Sequence, residues 1–293
     1  MLLLTGATGV IGSAVLRALT AAQIPVRCLV RDPRRLGDQR VRVQLVIGEL
    51  ADPSTWRHAL RGVRTVVHLA GSDRDQPHAS IEELDGLAAV RLQHAAGRAG
   101  AERFLWATPL GATPHARSRV LRAKALAEAA VEHAQLPTTT LACSYVYAPG
   151  DRRLTRLERF AWLPALPWPG PGEAPVQPLW ADDLAACVLR LLERPPPDGH
   201  ERLELAGPQT MRQRDMAALV LRAARRRRRL APLPLPVVKP LLRAHELLAG
   251  PTAILTWEEA LLRTEPSATP AGAAGAEALG VRPHAPAAVL GAA

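Results

Sequence analysis

Three glycines at intervals of three residues follow directly on a short apolar segment near the start of the chain. Leu2-Leu3-Leu4 leads into Thr5-Gly6-Ala7-Thr8-Gly9-Val10-Ile11-Gly12, and an Ala- and Leu-rich helical pattern comes next. In a strand–turn–helix unit, Gly6 allows the tight turn, Gly9 lets the backbone approach a phosphate, and Gly12 lets the helix pack on its strand. The free N–H groups and the dipole at the helix start favour a bound anion. The segment predicts a site for the pyrophosphate of a dinucleotide; the alternative is an ordinary tight turn.

The residues that end the second predicted strand indicate which dinucleotide is bound. The strand Val26–Val30 runs into Arg31, and Asp32-Pro33-Arg34-Arg35 follows. A carboxylate at this point binds the ribose hydroxyls of NAD, whereas an arginine accommodates the 2′-phosphate of NADP. A guanidinium suits a phosphate because it donates two parallel hydrogen bonds. Arg31 therefore favours NADP(H), while Asp32 leaves NAD(H) open.

Strand and helix patterns alternate along the chain, which predicts an α/β fold of the Rossmann type with a doubly wound parallel sheet. The strand patterns lie at Leu2–Thr5, Pro25–Val30, Val43–Ile47, Thr65–Leu69, Arg103–Ala107, Thr138–Tyr145 and Arg202–Leu205. The helical patterns lie at about 10–22, 53–61, 81–99, 115–134, 181–193, 211–227 and 236–248. These elements must place the glycine turn and the end of the second strand at the same edge of the sheet.

The chain divides into three parts that differ in residue composition and pattern. Residues 1–150 carry the dinucleotide-binding pattern, and residues 151–265 are expected to form a small C-terminal substrate-side lobe interleaved with the core. Six prolines between residues 164 and 178 exclude regular helix and central strand there. Residues 266–293 are rich in Ala, Gly and Pro, so we expect a tail that wraps loosely or is partly disordered.

Composition limits the cellular setting and the partners. The 293 residues include three cysteines, all in apolar segments, which is typical of reduced thiols in a cytoplasmic protein. No signal peptide is evident, and no apolar stretch approaches the roughly 20 residues of a membrane span. The net charge is +10, and the one dense basic run is Arg225–Arg229. This run is either the basic end of a helix or a patch for an anionic membrane or acidic partner. With 3% aromatic residues, base-stacking surfaces are scarce, and we expect no nucleic-acid partner.

Several segments in the same order resemble the short-chain dehydrogenase/reductase superfamily in its extended or atypical branch. They are Thr5–Gly12, Arg31-Asp32-Pro33, Gly48–Pro53, Val66–Gly71, Leu110-Gly111-Ala112, Arg122–Ala125, Ser144–Asp151 and Trp180–Leu184. Within that branch the chain is similar to NmrA-like proteins and to the group related to the nucleotide-binding accessory subunit of respiratory complex I. The similarity covers roughly residues 1–265.

The glycine motif and the resemblance together predict the cofactor contacts. In this sequence they fall on Gly6, Thr8, Gly9, Val10, Ile11, Gly12, Arg31, Glu49, Leu50, Leu69, Ala70, Gly71 and Lys124. The resemblance implies that Glu49 and Leu50 edge the adenine, although the family usually has Asp where Glu49 stands. It implies that Leu69, Ala70 and Gly71 lead to the nicotinamide ribose and that Lys124 binds its hydroxyls.

The sequence departs from the family at the proton donor. The family's reductases carry Tyr-x-x-x-Lys on one helix, where the ammonium lowers the pKa of the phenol. Four residues before Lys124 this chain has Val120, and Thr108 is the only hydroxyl where the family has a serine-containing pair. We therefore expect an oxidoreductase without the usual acid. The alternative is a non-catalytic NADP(H)-binding redox sensor or an assembly or accessory protein, peripheral to a membrane or respiratory complex.

No residue can be assigned as the replacement acid from sequence. Tyr145 and Tyr147 are the only tyrosines and lie where ligands bind in such folds, and His115 enters the Lys124 helix. His68 alternates within an apolar strand and is expected to be a core residue. No spacing of Cys, His and Asp predicts a metal site.

Overall fold

A seven-stranded, fully parallel sheet lies at the centre of the computed structural model, which describes residues 1–291. Across the sheet the strands are ordered β11-β6-β5-β4-β1-β2-β3. They are β1 Leu2–Thr5, β2 Val26–Val30, β3 Gln44–Ile47, β4 Thr65–His68, β5 Arg103–Pro109, β6 Thr138–Cys143 and β11 His200–Leu205. This is a doubly wound order, in which ligands bind where the order of the strands reverses, here beside β1. The predicted α/β Rossmann-type fold is confirmed.

The alternation of side chains along β1 divides the core into two layers. Leu2 and Leu4 belong to one buried cluster, and Leu3 belongs to the other. The first cluster contains apolar residues of α1 (Val10–Ala21) and α5 (Ala181–Glu193). The second contains residues of α2 (Ala88–Arg98) and α3 (Arg119–Glu132). A strand buried on both faces needs a continuous apolar run, and Leu2-Leu3-Leu4 supplies it.

Of the eight remaining helices among residues 1–291, those near residues 81–99, 115–134, 211–227 and 236–248 agree with the predictions in place more than in detail, and the other four lie where the patterns predict no helix. The eight are α2 Ala88–Arg98, α3 Arg119–Glu132, α4 Arg152–Phe160, α6 Gln213–Ala223, α7 Leu235–Ala249, α8 Trp257–Leu262, α9 Ala274–Glu277 and α10 Pro286–Leu290. The pattern at 53–61 gives two short 3₁₀ segments, Pro53–Thr55 and Arg57–Leu60, rather than one α-helix. The start of the 81–99 pattern is a π-helical turn, Glu82–Leu87. The Arg225–Arg229 run begins just after α6 ends and is largely exposed.

The C-terminal lobe is interleaved with the sheet because α5 and β11 return to it. Outside the sheet, the lobe has α4, α6, α7 and α8 together with short paired strands. These strands are β7 Val146–Tyr147, β8 Ala165–Pro169, β9 Pro175–Val176, β10 Leu179–Trp180, β12 Met211–Arg212 and β13 Arg229–Leu233. Helix α4 lies in a region where the sequence predicts no helix, and Asp151 caps it by accepting hydrogen bonds from the N–H groups of Arg153 and Leu154.

The tail does not wrap loosely, and this corrects the sequence-based expectation. Ala276 and Leu279 are buried in the core cluster of the sheet, and a Cβ at Gly275 would lie 2.0 Å from the carbonyl oxygen of Glu204 on β11. His284 hydrogen-bonds the carboxylate of Asp183 through its backbone N–H, at 2.8 Å. The small residues that suggested disorder allow this close packing against an edge strand. The last two residues of the tail lie outside the described ones.

No helix among residues 1–291 is both long enough and apolar enough to cross a membrane.

Candidate functional site

The glycine turn is built from close backbone contacts that side chains would prevent. Gly6 has a φ of +76°, and a Cβ there would lie 2.5 Å from the backbone nitrogen of Ala70. A Cβ at Gly12 would lie 2.0 Å from the carbonyl oxygen of Gly6, so the helix packs directly on the turn. The N–H of Gly9 donates to the Gly6 carbonyl at 2.9 Å. The turn therefore holds the start of α1 against the end of β1.

Helix α1 presents an uncovered N-terminus. Gly9 is its N-cap, no side chain caps it, and its first turn holds no acidic residue. The N–H groups of the first turn have no partner within the helix, and the helix dipole adds partial positive charge. An anion is the ligand that this geometry favours.

A cavity of about 640 Å³ opens over this helix start and over the carboxyl ends of the central strands. This cavity, the cleft, is of the size usual for small-molecule sites. Its lining includes eleven predicted cofactor residues: Gly6, Thr8, Gly9, Val10, Ile11, Arg31, Leu50, Leu69, Ala70, Gly71 and Lys124. It extends beyond Lys124 to Tyr145, Arg153 and Gln213 of the C-terminal part.

Two predicted cofactor residues do not line the cleft. Gly12 lies beneath the turn, where it serves helix packing. The side chain of Glu49 is exposed, and its backbone N–H donates to the hydroxyl of Thr55 at 3.0 Å. A contact of Glu49 with the adenine stays a prediction, whereas its neighbours Gly48 and Leu50 do face the cleft.

Two arginines after β2 line the cleft, whereas the aspartate beside them does not. Arg31 and Arg35 both line the cleft and are exposed. Asp32 does not line it; its carboxylate accepts a hydrogen bond of 3.0 Å from the N–H of Arg34 and caps the following 3₁₀ segment. Since Asp32 is used locally, the guanidinium groups are the charged groups available at this end of the cleft.

Lys124 is a buried cation with three contacts. Its Nζ lies 3.3 Å from the Oδ1 of Asp85, 3.4 Å from the Ala107 carbonyl oxygen and 5.0 Å from the centre of the Trp106 ring. Lys124 is 4% exposed and Asp85 2%. Burial raises the pKa of Asp85, although the ammonium of Lys124 opposes the shift. An ion pair with this little exposure fixes the direction of the Lys124 side chain towards the cleft.

The position of the family's tyrosine is in the site, but it holds an aliphatic side chain. Val120 lies one helical turn before Lys124 on α3 and lines the same cleft. Thr108 also lines the cleft, and its buried hydroxyl has no hydrogen-bond partner among residues 1–291. An unpaired buried hydroxyl beside a cavity is suited to a ligand contact.

The other titratable residues considered as proton donors differ in whether they line the cleft. Tyr145 lines the cleft, whereas Tyr147 is fully buried in the lobe core. His115 is exposed and does not line the cleft. His68 is a core residue, as expected: its Nδ1 lies 2.7 Å from the Thr5 hydroxyl, and burial, aided by the charge of Lys124, lowers its pKa to about 3.

Sequence reasoning missed Asp85, Arg153 and Gln213. Asp85 approaches Lys124 from a π-helical turn that no pattern signals, and Arg153 lies on the unpredicted α4. Gln213 lies at the start of α6. Asp85, Arg153 and Gln213 are far from one another in the sequence, so no local spacing of residues could have indicated that they lie at one site.

The cleft suits a dinucleotide. The glycine turn leaves a cradle that a Cβ would fill, α1 offers an anion site, and Gly71 passes so close to Asp85 that a Cβ there would lie 2.5 Å from its Oδ1. No group of three or more His, Cys, Asp or Glu among residues 1–291 is arranged to hold a metal ion.

A family profile described as NAD(P)H-binding matches residues 6–159. The chain is 29% identical to the NAD(P)H azoreductase of Xenophilus azovorans over 235 residues, which cover 77% of this chain and 74% of the relative. It is 26% identical over 250 residues to mitochondrial NADH dehydrogenase (ubiquinone) 1 alpha subcomplex subunit 9 of Arabidopsis thaliana, covering 80% of this chain and 60% of the subunit. The crystal structure of gox2253 superposes with a TM-score of 0.74 at 23% identity, covering 100% of this chain and 96% of that one.

Proposed function

Because the chain belongs to the NAD(P)H-binding family, we propose that it is an oxidoreductase whose substrate is a conjugated electrophile such as a quinone, an azo compound or an enone. The observation that carries the proposal is the shape of the cleft. It continues past Lys124 into a space lined by Tyr145, Arg153 and Gln213, beyond what the glycine turn needs. A protein that only held a nucleotide would have no need of a polar chamber at that end.

Val120 determines the class of acceptor. When bound, the dihydronicotinamide supplies a hydride. A saturated ketone that accepts it becomes an alkoxide and needs an acid in place during the transfer. A conjugated acceptor spreads the new negative charge over its π-system, so its reduced anion takes the proton from water afterwards. A site with Val120 in place of tyrosine suits the second class.

The residues of this chain then bind the nucleotide and hold it in a fixed orientation. The resemblance assigns Lys124 to the nicotinamide ribose, and the Asp85 carboxylate 3.3 Å away holds the ammonium in place. Thr108 offers a hydroxyl without another partner among residues 1–291. The azoreductase relative supports this reading, since its name describes reduction of a conjugated acceptor by NAD(P)H.

The acceptor class is tested by NADPH oxidation with a panel. A quinone, an azo dye and a conjugated enone are expected to turn over at least about tenfold faster than cyclohexanone, because only the ketone needs a placed acid. Rates without protein are subtracted for each compound. Equal rates for the saturated ketone would contradict the proposal.

A non-catalytic role is the second candidate, and Val120 is the observation in its favour. The similarity to a subunit of NADH dehydrogenase supports it as well. NADPH binding without turnover of any acceptor in the panel would favour this sensing or accessory role.

We further propose that NADP(H) is preferred over NAD(H). Replacement of Arg31 by alanine is expected to weaken NADPH binding by roughly tenfold and to leave NADH binding unchanged, because a charge-assisted contact to the 2′-phosphate is lost. Fluorescence titration with both nucleotides measures the two affinities.

Arg34→Ala is the matched control, since Arg34 is also exposed but does not line the cleft. Equal loss of NADPH binding in both variants would show a general charge effect. Unchanged NADPH affinity in Arg31→Ala would overturn the preference.

A further inference from the structure

A second, smaller cavity, the side chamber, adjoins the far end of the cleft. It measures about 70 Å³ and shares Tyr145, Arg153, Gln213 and Leu262 with the cleft. One water needs on the order of 10–15 Å³, so the side chamber is large enough for a group of a few heavy atoms.

The ion pairs around the side chamber leave an excess of positive charge. Glu259 lies 2.5 Å from both Arg74 and Arg156 through its two carboxylate oxygens. Asp73 lies 3.2 Å from Arg153 and 3.8 Å from Arg74. These two carboxylates are therefore shared among three guanidinium groups.

Arg263 adds a fourth guanidinium and has no counterion among residues 1–291. It follows α8 directly and lines the side chamber, yet within that part of the chain it has no carboxylate within 4.0 Å and no hydrogen-bond acceptor for its side chain. Its guanidinium carbon lies over the Trp168 ring, 5.1 Å from the ring centre, in a cation–π contact that holds the guanidinium beside the indole. Burial lowers the pKa of Arg263. The charges of Tyr145 and of Glu259, which also lines the side chamber, oppose this shift, whereas the charges of Arg153 and Arg156 add to it. Arginine stays charged at neutral pH even so.

Further donors and apolar walls complete the chamber. Trp168 is buried, and its indole N–H has no acceptor among residues 1–291. The Tyr145 side chain lines both cavities. Leu157, Met216 and Val220 form an apolar wall. Glu265 lines the cleft but not the side chamber, and its carboxylate accepts the backbone N–H of Arg117 at 3.3 Å.

We propose that the side chamber is an oxyanion subsite in which Arg263 binds a carboxylate, sulfonate or phosphate group of the substrate. The conjugated body of that substrate then lies in the cleft, towards Lys124. This inference rests on the proposed function, because it narrows the acceptors to those that carry one anionic group. An unpaired guanidinium held in place by an indole is prepared for a planar or tetrahedral oxyanion.

Calorimetry on the full-length protein saturated with NADPH tests the subsite without turnover. Benzoate, benzenesulfonate and phenyl phosphate are titrated, with benzamide as the neutral counterpart of benzoate. At least one oxyanion is expected to bind about tenfold more tightly than benzamide, and R263Q is expected to remove that difference. The ranking of the three identifies the anionic group.

The controls separate this inference from the proposed function. R159Q removes an exposed arginine of α4 that lines neither cavity, and it should leave all titrations unchanged. R263K keeps the positive charge but loses the pair of parallel hydrogen bonds that a guanidinium donates, so it should retain part of the preference for oxyanions over benzamide. This variant tests the subsite if R263Q does not fold. Equal binding of oxyanions and benzamide, or an unaffected preference in R263Q, would overturn the subsite while NADPH binding persists. Loss of NADPH binding by the wild type would instead refute the proposed function.

Discussion

Replacing Val120 by tyrosine is expected to raise kcat/KM for benzaldehyde reduction by NADPH by roughly 100-fold or more. Val120 lies one turn before Lys124 and lines the same cleft, so a phenol there would stand beside the ammonium. The positive charge lowers the pKa of the phenol and makes it a usable acid. A placed general acid contributes roughly 10²–10⁴-fold. Steady-state kinetics at saturating NADPH measure the gain.

Val120→Phe is the matched control because it adds the same ring without the hydroxyl. The gain should be absent in V120F and should disappear from V120Y when Lys124 is changed to methionine. If V120Y and V120F both bind NADPH and reduce benzaldehyde equally slowly, then Val120 is not what limits carbonyl reduction.

Replacing Gly9 by aspartate is expected to weaken NADPH binding by about 100-fold or more while the protein stays folded. Gly9 has an extended backbone with φ −81° and ψ 175°, and the nearest atom to a Cβ there is the Gly6 carbonyl oxygen, at 3.4 Å. Aspartate is a favourable N-cap, so α1 should be as stable as before or more so. Its carboxylate would compete for the same N–H groups that receive the pyrophosphate and would repel it.

The measurement combines a binding titration with a thermal melt. Gly9→Ala is the control, since it adds a methyl group but no charge and should weaken binding less than G9D. An unchanged NADPH affinity in a folded G9D protein would remove the anion site from the start of α1.

Sequence and structure agree where the signal is local. The glycine turn, the arginine after β2 and the lysine of α3 are each defined by neighbours within a few residues, and all three reach the cleft. The predicted nicotinamide-dinucleotide family is confirmed by the NAD(P)H-binding profile over residues 6–159, and the chain is similar to a subunit of NADH dehydrogenase, as the resemblance implies. A continuous apolar β1 followed by spaced glycines has few alternatives to a strand–turn–helix unit.

The disagreements arise where distant residues meet. Asp85 pairs with Lys124 across 39 positions, and Arg263 lies over the ring of Trp168, which is far from it in the sequence. The prediction for the tail is wrong for a different reason, because small residues such as Gly275 and Ala276 resemble a sequence that packs weakly. In fact a residue without a side chain is needed where the tail crosses the carbonyl of Glu204. Composition alone cannot distinguish a chain that cannot pack from one that packs too closely for larger side chains.

The walls of the cleft are synthesised at different times, because they come from opposite ends of the polypeptide. The first wall is made by residues 6–11, yet Glu265, Pro266 and Ser267 form part of the opposite wall. The Ser267 carbonyl accepts a hydrogen bond from Ser144 and so joins that wall to the end of β6. A nascent chain that has delivered only its N-terminal half to the solvent therefore holds a half-open site. Since domains fold progressively during translation, the cleft gains its last wall only after the Glu265–Ser267 segment has been synthesised.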